Sequence, residues 1–275
     1  MNGWPLWRRQ VVAILRLEAR KNFIGRRAIP IYFLALIPMA FLSLRAIILP
    51  LLNEPQTYAV PITTMHFAIF YQTLFLRFIV FFGCLGVFSN QFRGEMLDRS
   101  VHYYLLAPVR REVLVLGKYL AGLLATVVIF GFSVIACIVL MYLPNGPAAL
   151  IEYLTSATGF GQLIGYFGVT VLACVGYGGV FMAFGVLTKN PVVAGVAVMG
   201  WEWANFLMPA LLKRVSVIHY LLSLCPVPIS EGPLAIIAEP SSVWLAVPGM
   251  LVVTAAILTI ACWRVRRMEI SYGGE

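Results

Sequence analysis

Six stretches of this chain are each long and apolar enough to cross a lipid bilayer as a helix, which constrains its fold more than any other feature. They run near 29–51, 65–90, 113–143, 160–188, 191–212 and 242–263. A hydrocarbon core about 30 Å thick is crossed by about 20 helical residues at about 1.5 Å each. No water serves the backbone there, so a spanning segment must satisfy its own N–H and C=O groups, as a helix does. The predicted fold is therefore all-α and integral to the membrane, a single domain over 1–275. The third and fourth stretches exceed the minimum, which predicts tilt or projection beyond the bilayer. Of the 275 residues, 61% are hydrophobic and 11% charged, against about 45–50% and 25% in soluble domains. A soluble chain so apolar could not cover its own surface. The same numbers exclude disorder, a coiled coil and a disulfide scaffold.

The formal charge of +9 would suggest nucleic acid in a soluble protein. Here its placement matters more, and no nucleic-acid partner is expected. Residues 1–28 carry Arg8, Arg9, Arg16, Arg20, Lys21, Arg26 and Arg27. The next basic cluster, Arg93, Arg99, Arg110, Arg111 and Lys118, follows the second stretch. Lys189 lies between the fourth and fifth, and Arg264, Arg266 and Arg267 follow the last. The intervening segments 51–64 and 144–159 carry only Glu54 and Glu152. Sixteen of the 20 Lys and Arg thus fall on one side, which the positive-inside rule assigns to the cytoplasm, with both termini. Lys213 and Arg214 break the pattern. The expected location is a plasma membrane, the inner membrane in a bacterium. No cleavable signal is expected at the basic N-terminus, and the first span serves as the insertion signal. The five cysteines are scattered, and no pair predicts a disulfide or a metal site.

A seventh apolar stretch, 215–240, holds Pro226, Pro228, Gly232 and Pro233. Proline removes a backbone donor, so a re-entrant helical pair on the outer side is expected rather than a seventh span. Residues 4–25 differ again. Trp4, Trp7, Val11, Ile14 and Leu15 recur at helical spacing, with Arg8, Arg9, Arg16, Arg20 and Lys21 on other faces. That pattern predicts an amphipathic surface helix, anchored among headgroups by Trp4, Trp7, Arg8 and Arg9.

The loop 92–110 after the second span carries chemistry of its own. Arg93, Glu95, Asp98 and Arg99 precede an aromatic and apolar run (Val101, Tyr103, Tyr104, Leu105, Leu106), which Pro108 ends. A short helix here would show charge to a cytosolic partner and rest its aromatic side on the membrane helices. A loop of this length is more often functional than a plain connection.

At this loop the chain resembles the permease subunits of ABC-2 type transporters, which have the type V exporter fold. Glu95, Ser100, Leu105-Leu106, Pro108, Arg111 and Gly117-Lys118 match the family's motif in order and spacing. Arg99 stands where the family usually has Gly. The amphipathic start, with Glu18, Lys21 and Arg26, resembles the family's elbow helix, and Tyr220–Pro226 resembles the stretch before its last span. The resemblance covers most of the chain in topology and about thirty residues in motif. It implies that the loop is a coupling helix docking on a separate ATPase subunit through Arg93, Glu95, Asp98, Arg99, Pro108 and Arg111. ATP and Mg would then be bound by that partner, with no cofactor on this chain. A second permease subunit, identical or related, would complete the pathway. The chain's own Gly117-Lys118 is no phosphate loop: Tyr119 follows it, and Glu112 stands where the first glycine belongs.

Charges inside the spans are the other candidates. A charge at mid-bilayer costs about 2.5–3.5 kcal/mol on insertion scales, so such groups are expected to be partnered or water-facing. Arg77 falls near the middle of the second span, in a salt bridge or facing an anionic headgroup. Glu202, between Trp201 and Trp203, is expected to pair with Arg77 or Arg45 or to touch cargo. Arg45 lies near an outer end and can snorkel. The glycines of span four, Gly161 and Gly165 first, predict close helix packing. Three other readings compete: a permease-like scaffold, a secondary transporter and an intramembrane enzyme. The sequence holds no His-Glu-x-x-His, no paired intramembrane carboxylates and no Gly-x-Ser-x-Gly.

Overall fold

The computed structural model describes residues 4–25, 28–51, 60–97, 110–188, 190–213, 216–229 and 242–267. Every regular element among them is helical. The amphipathic α1 (Trp4–Ile24) comes first and α2 (Ile29–Leu51) follows. Next come α3 (Val60–Phe70), a π-helix (Tyr71–Val80) and α4 (Phe81–Leu97), end to end as one rod. Then come α5 (Arg111–Tyr142), α6 (Pro147–Thr155), α7 (Ala157–Leu187) and α8 (Pro191–Trp203). Short α9 (Ala210–Lys213) and α10 (Val217–Ser223) precede the last helix, α11 (Val243–Arg266).

Five of these helical stretches are long and apolar enough to cross a membrane: Ile29–Ile48, Val60–Gly94, Arg111–Asn145, Ala157–Leu187 and Val243–Arg266. By length and composition the chain is a multi-pass membrane protein. The fifth predicted span, 191–212, is not one helix. α8 has 13 residues, about 20 Å at about 1.5 Å per residue, which falls short of the bilayer core. A single 3-10 turn, Ala204–Leu207, follows it, and Met208 then turns extended (φ −83°, ψ 148°). The cause is Pro209, whose ring drives the preceding residue out of the helical region. In the predicted re-entrant pair, α10 is helical and 224–229 leaves the helix. Residues 230–240, and 98–109 of the predicted coupling helix, lie outside the described residues.

α7 is the most enclosed of the five and packs against α4, α5 and α11, while α1 and α2 lie along α5. Close approach holds this centre together. Phe88 on α4 is fully buried, with Gly178 of α7 and Gly122 of α5 against its ring; a Cβ added at either would stand 2.7 or 2.8 Å from it. Gly185 packs on backbone, 2.9 Å from the Ser89 carbonyl oxygen by the same measure. The predicted Gly161–Gly165 pair is used differently. Gly165 accommodates Pro226 of the 216–229 segment, and Gly161 meets nothing within 4 Å. Polar contacts complete the packing: Ser133 Oγ donates to the Ala35 carbonyl at 2.8 Å, and Tyr71 Oη to the Tyr166 carbonyl at 3.0 Å.

Gly185→Val tests this packing, because the carbonyl it meets cannot move aside. It is expected to destabilise the bundle by about 1–3 kcal/mol, seen as a lower thermal midpoint in detergent. Gly168→Ala, with nothing within 4 Å, should leave that midpoint unchanged.

Candidate functional site

Three features stand out from the apolar bundle, and the first is a buried ion pair at its arginine-rich end. α1 turns Trp7, Val11, Ile14, Leu15, Glu18 and Asn22 inward and leaves Arg8, Arg9, Arg16 and Arg20 exposed. The stripe expected to face headgroups therefore largely faces protein, because α5 lies along it. At Gly117 the two helices close up, and an added Cβ would stand 2.7 Å from Ile14 Cγ2. One residue on, Lys118 Nζ lies 3.0 Å from Glu18 Oε1 with both side chains buried. Lys21 reaches the same oxygen at 3.1 Å. Burial by itself raises the Glu18 pKa, but the two ammoniums outweigh it and hold the carboxyl below its usual 4.5. Beside this pair, Arg111 Nη1 donates to the carbonyls of Val265 (3.1 Å) and Arg266 (3.0 Å), at the negative end of α11. Glu112 pairs with Arg266. Together these contacts tie α1, α5 and α11 into one foot at the start of α5.

The second feature is Glu202. Its carboxylate accepts from Ser216 Oγ at 2.9 Å, Val217 N at 3.1 Å, Ile218 N at 2.8 Å and Tyr177 Oη at 3.4 Å. Neither Arg77 nor Arg45 is paired with it, so the ion pair that was one of the sequence readings is not formed. The reason is local: the chain break at Met208-Pro209 folds the Ser216 turn back onto α8. The free N–H groups opening α10 then supply donors at hydrogen-bond distance. Ser216 makes no cap of its own, so Glu202 caps α10 from another element. Arg45 instead sends Nη1 to the Met141 carbonyl at 3.4 Å.

The third feature is a partly exposed face of the second membrane rod, bordered by Trp203 of α8. Arg77 stands on it, at the midpoint of the 35-residue span Val60–Gly94 and within the π-helix. The guanidinium is half-buried, and among the described residues no carboxylate lies within 4 Å of it. Arg77 and Glu202 both act electrostatically on the buried Tyr177. Thr73, Gly86 and Asn90 are exposed along this face, with Phe78 and Phe82 half-buried between them. Trp203 of α8 meets the Phe78 ring edge-on at 4.9 Å.

Of the residues expected at an ATPase interface, Arg93 is half-buried at the end of α4, and Arg111 faces α11. Asp98, Arg99 and Pro108 lie outside the described residues, as do the side chains of Glu95 and Trp4. The guanidinium of Arg110 lies 4.6 Å over the Trp7 ring, joining the expected anchor to the loop's far end. The Glu18–Lys118 pair escaped the sequence reading. Its signal was a lysine inside an apolar run and a lone acid on the inward face of an amphipathic helix. Comparison with protein-family models, curated proteins and solved structures finds no match to this chain.

Glu18→Gln leaves Lys118 buried without a full counter-charge and should cost about 3–5 kcal/mol. The double variant Glu18→Met, Lys118→Met should recover most of that, as read by thermal unfolding in detergent. Because the folded-state Glu18 pKa is depressed, its stabilisation is complete above the unfolded value near 4.5 and is lost as pH falls through the lower folded value. Glu202→Ala should speed hydrogen exchange at the Val217 and Ile218 amides by at least about tenfold, with α7 amides unaffected.

Proposed function

We propose that this chain is the transmembrane subunit of an ATP-driven exporter of the ABC-2 type. In this reading six segments cross the membrane, the fifth as the broken element 191–213, and both termini are cytoplasmic. Two such subunits form the pathway between them. A separate ATPase subunit, holding ATP and Mg, docks on the loop 92–110.

One observation supports this reading above the others: the foot built by Glu18–Lys118, Arg111 on the α11 carbonyls and Glu112–Arg266. A push on a loop joining α4 to α5 is useful only if the helices beside it move as a body. Buried charge pairs resist separation, since parting them would strand charge in a low-dielectric interior. Closure of the ATPase would thus reach the spans as a tilt of packed helices. The broken element with a buried carboxylate gives a second reading, a secondary transporter with a discontinuous helix. The saturated ligation of Glu202 makes it the weaker of the two.

Mild-detergent purification of the tagged chain should bring down a stoichiometric ATPase subunit, identified by mass spectrometry. The double variant Glu95→Lys, Pro108→Gly should insert normally and lose coupling between ATP hydrolysis and transport. Normal transport by that variant would refute the docking assignment.

A further inference from the structure

The half-buried cation at mid-membrane has a consequence for what the protein binds. Lipid tails cannot solvate a guanidinium, and a membrane helix keeps one where protein, water or a ligand answers it. The obvious protein partner is already committed: four donors ligate Glu202. The other buried acid, Glu18, holds two lysines in the foot. Among the described residues Arg77 has no ion pair. Snorkelling does not resolve this, since seventeen residues separate Arg77 from either end of its span.

Its surroundings suit a particular ligand chemistry. Thr73 stands exposed one turn away, its hydroxyl bonded to the Ile69 carbonyl. Phe78 and Phe82 stack at 6.4 Å, and Trp203 closes on Phe78, giving an aromatic wall beside the charge. Farther along, Gly86 leaves the surface open, with nothing within 4 Å of an added Cβ. The carrier is a ten-residue π-helix, a rare geometry that concentrates at functional sites. A second copy of the chain facing this surface through a twofold axis would bring two like charges together, and an anion between them would relieve that repulsion.

We propose that this partly exposed face, centred on Arg77, takes the anionic headgroup of an amphipathic molecule, with Phe78, Phe82 and Trp203 against its apolar part. Arg77 supplies charge-assisted hydrogen bonds in a forked geometry suited to phosphate or carboxylate oxygens. That this molecule is cargo rests on the permease reading above; that the face binds it does not.

The test uses the full chain in an uncharged detergent, with dodecyl phosphate as probe and binding read by native mass spectrometry and thermal shift. Dodecyl phosphate should bind. Dodecyl maltoside and dodecyltrimethylammonium at equal concentration should not compete, nor should inorganic phosphate. Arg77→Gln should weaken binding roughly tenfold or more, and Arg77→Lys should restore part of it. A bromine on the dodecyl chain should quench tryptophan emission in wild type and lose that quenching in Trp203→Phe, which leaves Arg77 in place. Equal binding of charged and uncharged amphiphiles, unchanged binding in Arg77→Gln, or quenching that survives Trp203→Phe would each overturn the proposal. Equal competition by inorganic phosphate would overturn its apolar half. Binding that behaves as expected in a chain that purifies without an ATPase would uphold the site and refute the permease reading.

Discussion

Lipid does not drive apolar side chains together, so a bundle like this one is held by close approach and by polar contacts between helices. Both are concentrated where α4, α5 and α7 meet. Phe88 fills the space left by glycines on two neighbouring helices, and Gly185 sits against the backbone of α4. The hydroxyls of Ser133 and Tyr71 bridge helices through main-chain carbonyls. The peripheral α2 and α11 carry much of the exposed apolar surface.

On that scaffold the charged groups divide the molecule into regions of different stiffness. At the arginine-rich end, Glu18 accepts two ammoniums and Arg111 caps α11, so three helices that are remote in sequence share one base. Midway along the bundle, Glu202 holds the turn before α10 by hydrogen bonds alone. The first arrangement resists separation of its helices. The second ties a broken element to its neighbour through one carboxylate, whose loss would free several donors together. Between them, Arg77 is half-buried, with no ion pair among the described residues.

Much of the architecture was legible in the sequence because lipid imposes one strong rule. The first span was read at 29–51 and observed at Ile29–Leu51; the last was read at 242–263 and observed at Val243–Arg266. The amphipathic helix was read at 4–25 and observed at Trp4–Ile24. At 191–212 apolar length did not reveal the break in the helix before Pro209. The site was less legible. The lone charges Arg77 and Glu202 were visible as oddities, but their pairing was read from charge alone, and Glu202 went to backbone donors instead.

Sequence by itself determined that the chain is helical, that it is built for a membrane, where most helices begin and end, and which residues are out of place in an apolar run. These are local properties, set by the transfer of each segment into lipid and by the backbone's need for its own hydrogen bonds. Tertiary structure decided which helices touch and which charges meet: Glu18 with Lys118, Arg111 with the end of α11, Glu202 with the start of α10. It also decided that Arg77 would make no ion pair among the described residues. Those outcomes depend on glycine-scale clearances between segments a hundred residues apart, and a linear pattern of apolar and charged residues does not encode such distances.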